Sequence, residues 1–331
     1  MQQAQGLVRV AVIQHPPVFL NVEESLKQAR RFVIEAAEQG AAIVVFPETW
    51  LPGYPVWLDF SPRAALWDYA PAKALYQALV ENALTIPGPR LAALLDLARE
   101  TGVYLVVGAH ELAGGTLYNT IVYVDRGGKD FRIHRKLMPT YTERMLWGRG
   151  DGSTLSVLDT AWGVLGGLIC WEHWMPLARA AMHARGETIH VAQWPAVKDL
   201  HHLASRHYAF EGQCFVIAAG CILTRGEAIS GFKSLGKPND AGLELLEAMP
   251  GDDADLILRG GSAVIGPDTE YVLEPVIGRA AVIYADLHLE QIAQGHLTMD
   301  TQGHYARPDV FHLEVDDRPQ VNVTFKNGVG K

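Results

Sequence analysis

Cysteine is scarce in this chain: three among 331 residues, at positions 170, 214 and 221, with no Cys-x-x-Cys spacing. Three thiols cannot all pair with one another. They argue against a disulfide framework or a zinc ribbon and point to a reducing compartment. Long apolar runs are also missing, and none approaches the ~20 residues needed to span a bilayer. The opening Met-Gln-Gln-Ala-Gln-Gly has neither the basic segment nor the apolar stretch of a secretory leader, so a cytoplasmic protein is expected. Basic residues are in deficit, with 28 Lys and Arg against 37 Asp and Glu, and no basic block occurs. A net charge of −9 argues against nucleic acid and anionic membrane as partners. No internal repeat, low-complexity tract or linker-like boundary is visible, so residues 1–331 read as a single domain.

What is present is an ordinary globular composition, 49% hydrophobic and 20% charged. The β-rich run Val8–Gln14 predicts a buried strand. Asn21 stands as an N-cap three residues before Glu24, ahead of Leu26, Ala29, Val33 and Ala37 at helical spacing; Gly40 closes that helix. Ala42–Phe46 is a second strand and ends at Pro47-Glu48. Residues 55–85 are rich in aromatics and broken by prolines. They are expected to be an irregular insertion, either over a pocket or as a satellite apolar cluster. A helix over Pro89–Thr101, a strand over Val103–Gly108 and a hairpin over Leu117–Arg135 follow. The polar loop from Lys136 to Gly152 is long enough to suggest function. Strands over Thr154–Asp159 and Gly163–Ile169 then lead to Cys170. Beyond it the pattern predicts helix 175–185, strand Ile189–Gln193, helix Asp199–Gly212 and strand Cys214–Ala219. A second insertion is expected at 224–260, three strands between 261 and 286, and an irregular tail from about 294. Strands alternating with helices, with a hairpin between, indicate an α/β domain with helices on an outer face of the sheet.

The chain is organised around Gly166-Gly167-Leu168-Ile169-Cys170-Trp171-Glu172. A cysteine at a strand tip just ahead of a helix meets backbone N–H groups and the positive helix end, which favour thiolate. The other reading is a buried structural cysteine. Glu48 and Lys136 stand at or just after two other strand ends. A thiol attacking a carbon–nitrogen bond needs a base to take its proton and return it to nitrogen, which a buried glutamate can be. It also needs a cation or N–H donors for developing negative charge. Taken singly, Glu48 reads as a solvated strand end, Lys136 as one more lysine after a hairpin, and Glu143 as a loop carboxylate paired with Arg144 or Arg149.

Jointly these motifs resemble the nitrilase superfamily of carbon–nitrogen hydrolases. The likeness rests on Phe46-Pro47-Glu48-Thr49, on His134-Arg135-Lys136-Leu137-Met138-Pro139-Thr140, and on Cys170-Trp171-Glu172. It extends to Gly303–Phe311 in the tail. Within the superfamily, Cys-Trp-Glu followed by Pro176-Leu177-Ala178-Arg179 is similar to true nitrilases, as are Thr140–Gly148 and Gly150-Asp151-Gly152. The resemblance implies a four-layer α-β-β-α sandwich and a Glu48-Lys136-Cys170 triad, with Glu143 positioning Lys136 or water. It implies hydrolysis of a small-molecule nitrile to acid and ammonia with no metal or organic cofactor. It also implies homodimers or larger helical homo-oligomers. An amidase, a carbamoylase, a cyanide-hydratase-type sibling or a non-catalytic assembly module are the competing readings. Tyr54, Trp171 and Trp194 are candidates to line the substrate pocket. His173 reads as a supporting or packing residue, and His201, His202 and His207 as packing or surface histidines. Cys214 and Cys221 read as structural.

Overall fold

The computed structural model describes residues 6–236, 240–321 and 323–324. Parts of two expected segments lie outside them: 237–239 of the second insertion, and 322 and 325–331 of the tail, as do residues 1–5. Strand β1 (Leu7–Gln14) runs parallel to β2 (Ile43–Val45), and β2 to β3 (Tyr104–Ala113). Antiparallel β4 (Thr116–Val124) and β5 (Phe131–Arg135) extend that sheet. The second sheet holds β6 (Leu158–Thr160), β7 (Gly163–Ile169), β8 (Glu187–Trp194), β9 (Phe215–Gly220), β10 (Ile222–Thr224), β11 (Leu256–Ile265) and β12 (Tyr271–Ile277). Its centre, β7-β8-β9, is parallel. Strand β13 (Ala281–His288) crosses back to lie antiparallel beside β1, with Gln14 opposite Ala281.

Period-2 alternation splits the first sheet between two cores. On β1, Ala11 and Ile13 join the core that includes Phe32, Val33 and Leu94 from the outer helices. Val10 and Val12 join the core that includes Leu168, Val191 and Ile217 of the second sheet. The Tyr123 hydroxyl donates to the Gly167 carbonyl at 3.2 Å, bridging the sheets. Helix α1 (Val22–Glu38) starts where Asn21 accepts from the Glu24 N–H at 3.2 Å. Short α2 (Trp57–Phe60) and α3 (Ala70–Asn82) precede α4 (Pro89–Thr101), which ends at left-handed Gly102, φ 71°. On the far side lie α5 (Pro176–His183) and α6 (Asp199–Gly212). The layers run α-β-β-α.

Both expected insertions are more regular than the sequence suggests. Pro71 sits in the first turn of α3, where a missing N–H is harmless, so Leu75 and Leu79 are buried on a continuous helix. Helices α7 (Arg225–Lys233) and α8 (Asp240–Glu247) occupy the second insertion, and β11 begins inside it at Leu256. The two segments pack together: Ser61 donates to the Leu245 carbonyl at 2.8 Å, and the Tyr69 hydroxyl to Glu244 at 3.2 Å. The strand expected at Thr154–Asp159 shrinks to β6, because 152–154 form a 3-10 turn capped by Asp151. A helix α9 (Glu290–Gly295) follows β13. Among the described residues no helix is long and apolar enough to cross a membrane.

Candidate active site

Glu48 leaves the end of β2 on a backbone held from both sheets. Phe46 N–H donates to Val106 O at 2.8 Å, and the Gln193 side chain donates to Phe46 O at 2.7 Å. Gly108 lies so close beneath that a Cβ there would sit 2.1 Å from Pro47 O, which only glycine allows. Lys136 follows β5, where its N–H donates to Asn119 O at 2.8 Å. The Asn119 side chain donates to Glu48 Oε1 at 2.7 Å, so one β4 residue locates both groups. Lys136 Nζ donates to Glu48 Oε1 at 2.9 Å and to Glu143 Oε2 at 2.7 Å. Glu143 is held in turn by the Thr140 N–H at 2.6 Å and the Tyr54 hydroxyl at 3.0 Å. The Trp147 ring centroid lies 5.7 Å from the ammonium. Glu143 is therefore a partner of Lys136 rather than of Arg144 or Arg149.

Cys170 closes β7 with φ 54°, in the left-handed region that non-glycine residues rarely adopt. A 3-10 turn, Cys170–Trp174, follows, and α5 begins only at Pro176. The cysteine sulfur and one carboxylate oxygen each of Glu48 and Glu143 lie within 4.8 Å of one another. Among the described residues this is the one trio of possible metal ligands, and the Lys136 ammonium bonds both of its carboxylates. A divalent cation there would face a fixed positive charge, so the residues do not suit a metal.

The charge states depart from the sequence expectation. Burial pushes the Cys170 thiol well above its ordinary range, with Glu48 adding to it. Lys136 and the Trp171 N–H only partly oppose them. The sulfur is therefore a thiol, not the standing thiolate that a helix end would supply, because desolvation outweighs the nearby N–H dipoles. Burial raises Glu48 to about 7, against the pull of Lys136 and with Glu143 adding to it. For Lys136 burial acts downward, but the neighbouring acidic groups, Glu48 and Glu143 among them, outweigh it and hold the ammonium well above its usual value.

A cavity of about 460 Å3 opens onto this group. Cys170 and Glu143 reach its wall, while Glu48 and Lys136 stand fully buried behind them. Tyr54, Phe60, Trp171, His201 and Ile257 complete much of the lining. A larger cavity, about 680 Å3, lies between α5 and the C-terminal segment, but it offers no cysteine and no carboxyl–lysine group. Trp194, a candidate pocket residue, is instead fully buried and does not reach this cavity. Alternation on β8 sends Gln193 to the first sheet and Trp194 to the helix side, where it stacks on His201 at 4.2 Å. His201, expected to be a packing or surface histidine, lines the cavity in its place. His202 is buried against Tyr271 and His207 is exposed. Cys214 and Cys221 are buried and free.

Sequence reasoning passed over Asn119 as a catalytic neighbour, although a lone amide inside an apolar strand was its signal. Glu172 was read only as part of a motif. Its carboxylate accepts from Ile169 N–H and Leu137 N–H, each at 2.6 Å, and from His134 Nε2 at 2.9 Å. It ties the residue before Cys170 to the residue after Lys136.

The chain is similar to known proteins over most of its length. The carbon-nitrogen hydrolase family model matches residues 9–296. The chain is 36% identical to Nitrilase 1 of Arabidopsis thaliana over 325 residues, covering 98% of this chain and 91% of that one. It is 38% identical to an aliphatic nitrilase of Sinorhizobium fredii (strain HH103) over 315 residues, covering 94% and 96%. A carbon-nitrogen hydrolase structure from Helicobacter pylori G27 superposes with TM-score 0.64 at 17% identity, over 89% of this chain and 94% of that one.

Proposed function

The chain belongs to the carbon–nitrogen hydrolase family, and from that premise we propose that it is a nitrilase, a single-domain enzyme hydrolysing an organic nitrile to its carboxylic acid and ammonia. One observation carries the reading. In a chain 36–38% identical to nitrilases, an uncharged thiol, a carboxyl poised near neutral pH and a fixed ammonium meet beside one small-molecule cavity.

Glu48 takes the Cys170 proton as the sulfur bonds to the nitrile carbon; returning that proton to nitrogen gives a thioimidate. Lys136 and the Trp171 N–H stabilise the negative charge that builds beside the sulfur. A water adds to the same carbon, and its two protons pass in turn through Glu48 to nitrogen. The carbon–nitrogen bond breaks, ammonia leaves and a thioester remains. A second water cleaves the carbon–sulfur bond, releasing the acid and restoring the thiol. Glu143 positions Lys136. Tyr54 and Trp171 line the path of the substrate.

The test is a panel of nitriles and matched amides with acid, amide and ammonia all quantified. Nitrile-dependent acid and ammonia in equimolar amounts is the expected result. Amide as the main product, or turnover of amides alone, would move the assignment to a sibling hydrolase. Cys170→Ala should abolish turnover; substantial residual ammonia release would remove Cys170 as the nucleophile.

The exposed Leu177, Leu200 and Leu203 on α5 and α6 support self-association through the outer helices, as a dimer or a longer assembly. Light scattering would distinguish these from a monomer. Three free cysteines support a cytoplasmic location, which fractionation would check.

A further inference from the structure

A second buried polar cluster lies against the carbonyl side of Cys170, and the reaction scheme uses none of it. The turn after β7 supplies His173, β8 supplies Glu187 and His190, and α6 supplies Tyr208. His173 Nδ1 lies 2.8 Å from Cys170 O, and His173 Nε2 lies 3.0 Å from His190 Nε2. His190 Nδ1 lies 2.9 Å from Glu187 Oε1, and the Tyr208 hydroxyl donates to Glu187 Oε2. The His190 and Glu187 side chains are completely buried, and His173 is almost so.

Counting donors sets the direction of the chain. Cys170 O can only accept, so His173 Nδ1 carries a hydrogen. Burial, with His190 adding to it, lowers the His173 pKa to about 3, so the ring is neutral and Nε2 accepts. His190 Nε2 must then donate to it. Burial also holds His190 well below its ordinary value, which leaves its Nδ1 as an acceptor. Glu187, raised to about 7 by burial, supplies the hydrogen in that last bond. Moving this one proton from Glu187 to His190 changes no other bond in the chain.

The far end of the chain bears on the nucleophile. Cys170 C=O and Trp171 N–H belong to one rigid peptide plane and point in opposite directions. The Trp171 N–H acts on the Cys170 sulfur and favours its thiolate form. With Cys170 at φ 54°, this peptide sits where a non-glycine residue is strained and must be held by its surroundings. A grip on the carbonyl therefore aims the N–H. Arg179 adds a hold on the turn itself, donating to His173 O at 3.1 Å.

We propose that His173, His190 and Glu187 form a buried positioning chain that anchors the Cys170 carbonyl and so keeps the Trp171 N–H directed at the sulfur and at the charge that builds there during attack. The inference rests on Cys170 being the nucleophile of the proposed reaction, and it assigns His173 a task where packing alone was one expectation.

Two pairs of variants test it. His173→Asn keeps a donor where Nδ1 stands and cuts the link to His190; His173→Leu removes both. Glu187→Gln keeps a donor for His190 and an acceptor for Tyr208; Glu187→Leu removes both. The readouts are kcat and KM on a nitrile that is turned over, and the rate of Cys170 alkylation by iodoacetamide followed by peptide mass spectrometry. Losing one N–H donor to developing charge typically lowers kcat about 100-fold, so His173→Leu should fall by that order with KM within about threefold. Alkylation should slow in parallel. His173→Asn should recover to within about tenfold of the parent, and Glu187→Gln should exceed Glu187→Leu by about tenfold, the scale on which residues supporting a catalytic group act.

Equal values for the Asn and Leu variants, or a loss confined to KM, would overturn the proposal. If His173→Leu does not fold, the Glu187 pair decides, and equal kcat and alkylation there overturns it as well. Nitrile turnover with all four variants alike would leave the proposed function standing and remove the positioning chain. No nitrile turnover by the parent, with alkylation in the stated order, would do the reverse.

Discussion

At the scale of single residues, the site depends on where protons sit rather than on standing charge. Cys170 is buried and holds its proton, so in the proposed reaction the base must act during the encounter with substrate. Glu48 is raised to about 7, first by burial and further by Glu143. Only its carboxylate form can accept the thiol proton. The acid limb of kcat/KM should therefore rise with pH through an apparent value near 7, which belongs to the coupled group as a whole. Glu143→Gln removes one of the causes that raise Glu48, so it should shift this limb to lower pH. It should also lower kcat, because Lys136 loses a partner at 2.7 Å. A pH–rate profile of both proteins checks this, and an unmoved or upward-shifted limb would contradict it.

At the scale of elements, the site is assembled by short ties between strand ends. Asn119 on β4 fixes Glu48 through its side chain and Lys136 through its carbonyl. Glu172 fixes the entries to both the Cys170 turn and the loop after Lys136. It forms a fully buried ion pair with His134, whose Nδ1 donates to Thr154 O at 3.0 Å. Burial opposes both charges. Glu172 nevertheless keeps His134 above its ordinary value, while His134 and two backbone N–H groups keep Glu172 below its own. Breaking one side of such a buried pair typically destabilises by about 3–5 kcal/mol. Glu172→Gln should lose stability on that order in urea unfolding and also lower kcat, since both loops are released together. A variant within about 1 kcal/mol of the parent would show that the tie is not structural.

At the scale of the molecule, the fold protects many neutral histidines. Burial holds His110, His173 and His201 at about 4, 3 and 4, and lowers His190 and His202 as well. Between about pH 4 and 6.5 the unfolded chain binds protons that the folded chain refuses, so stability rises with pH across that window. Glu48 and Glu187, each raised to about 7, act the other way: folded, they keep protons that the unfolded chain releases above about 4.5. The histidines outnumber them, so the net slope is positive up to about pH 6.5. Above that the histidine contribution is complete. The thermal midpoint should climb from pH 5 to about 6.5 and then level or decline. A midpoint that falls steadily across pH 5 to 6.5 would show that the carboxyls dominate.

The sequence by itself determined what depends on neighbours along the chain. Apolar periodicity located the strand ending at Cys170 and helices α4 and α6 to the residue, because a 3.6- or 2-residue repeat is written locally. Motif order placed Glu48, Lys136 and Cys170 at or just after strand ends. The tertiary structure decided what depends on distance in space. It brought Glu143 to Lys136 across 2.7 Å and placed Asn119 between Lys136 and Glu48. It turned Trp194 away from the cavity, because alternation says that neighbours on a strand diverge but not which face meets substrate. It also reversed the expected state of Cys170. A dipole at a helix end can be inferred from sequence, whereas the desolvation that overrides it exists only once both sheets have closed over the sulfur.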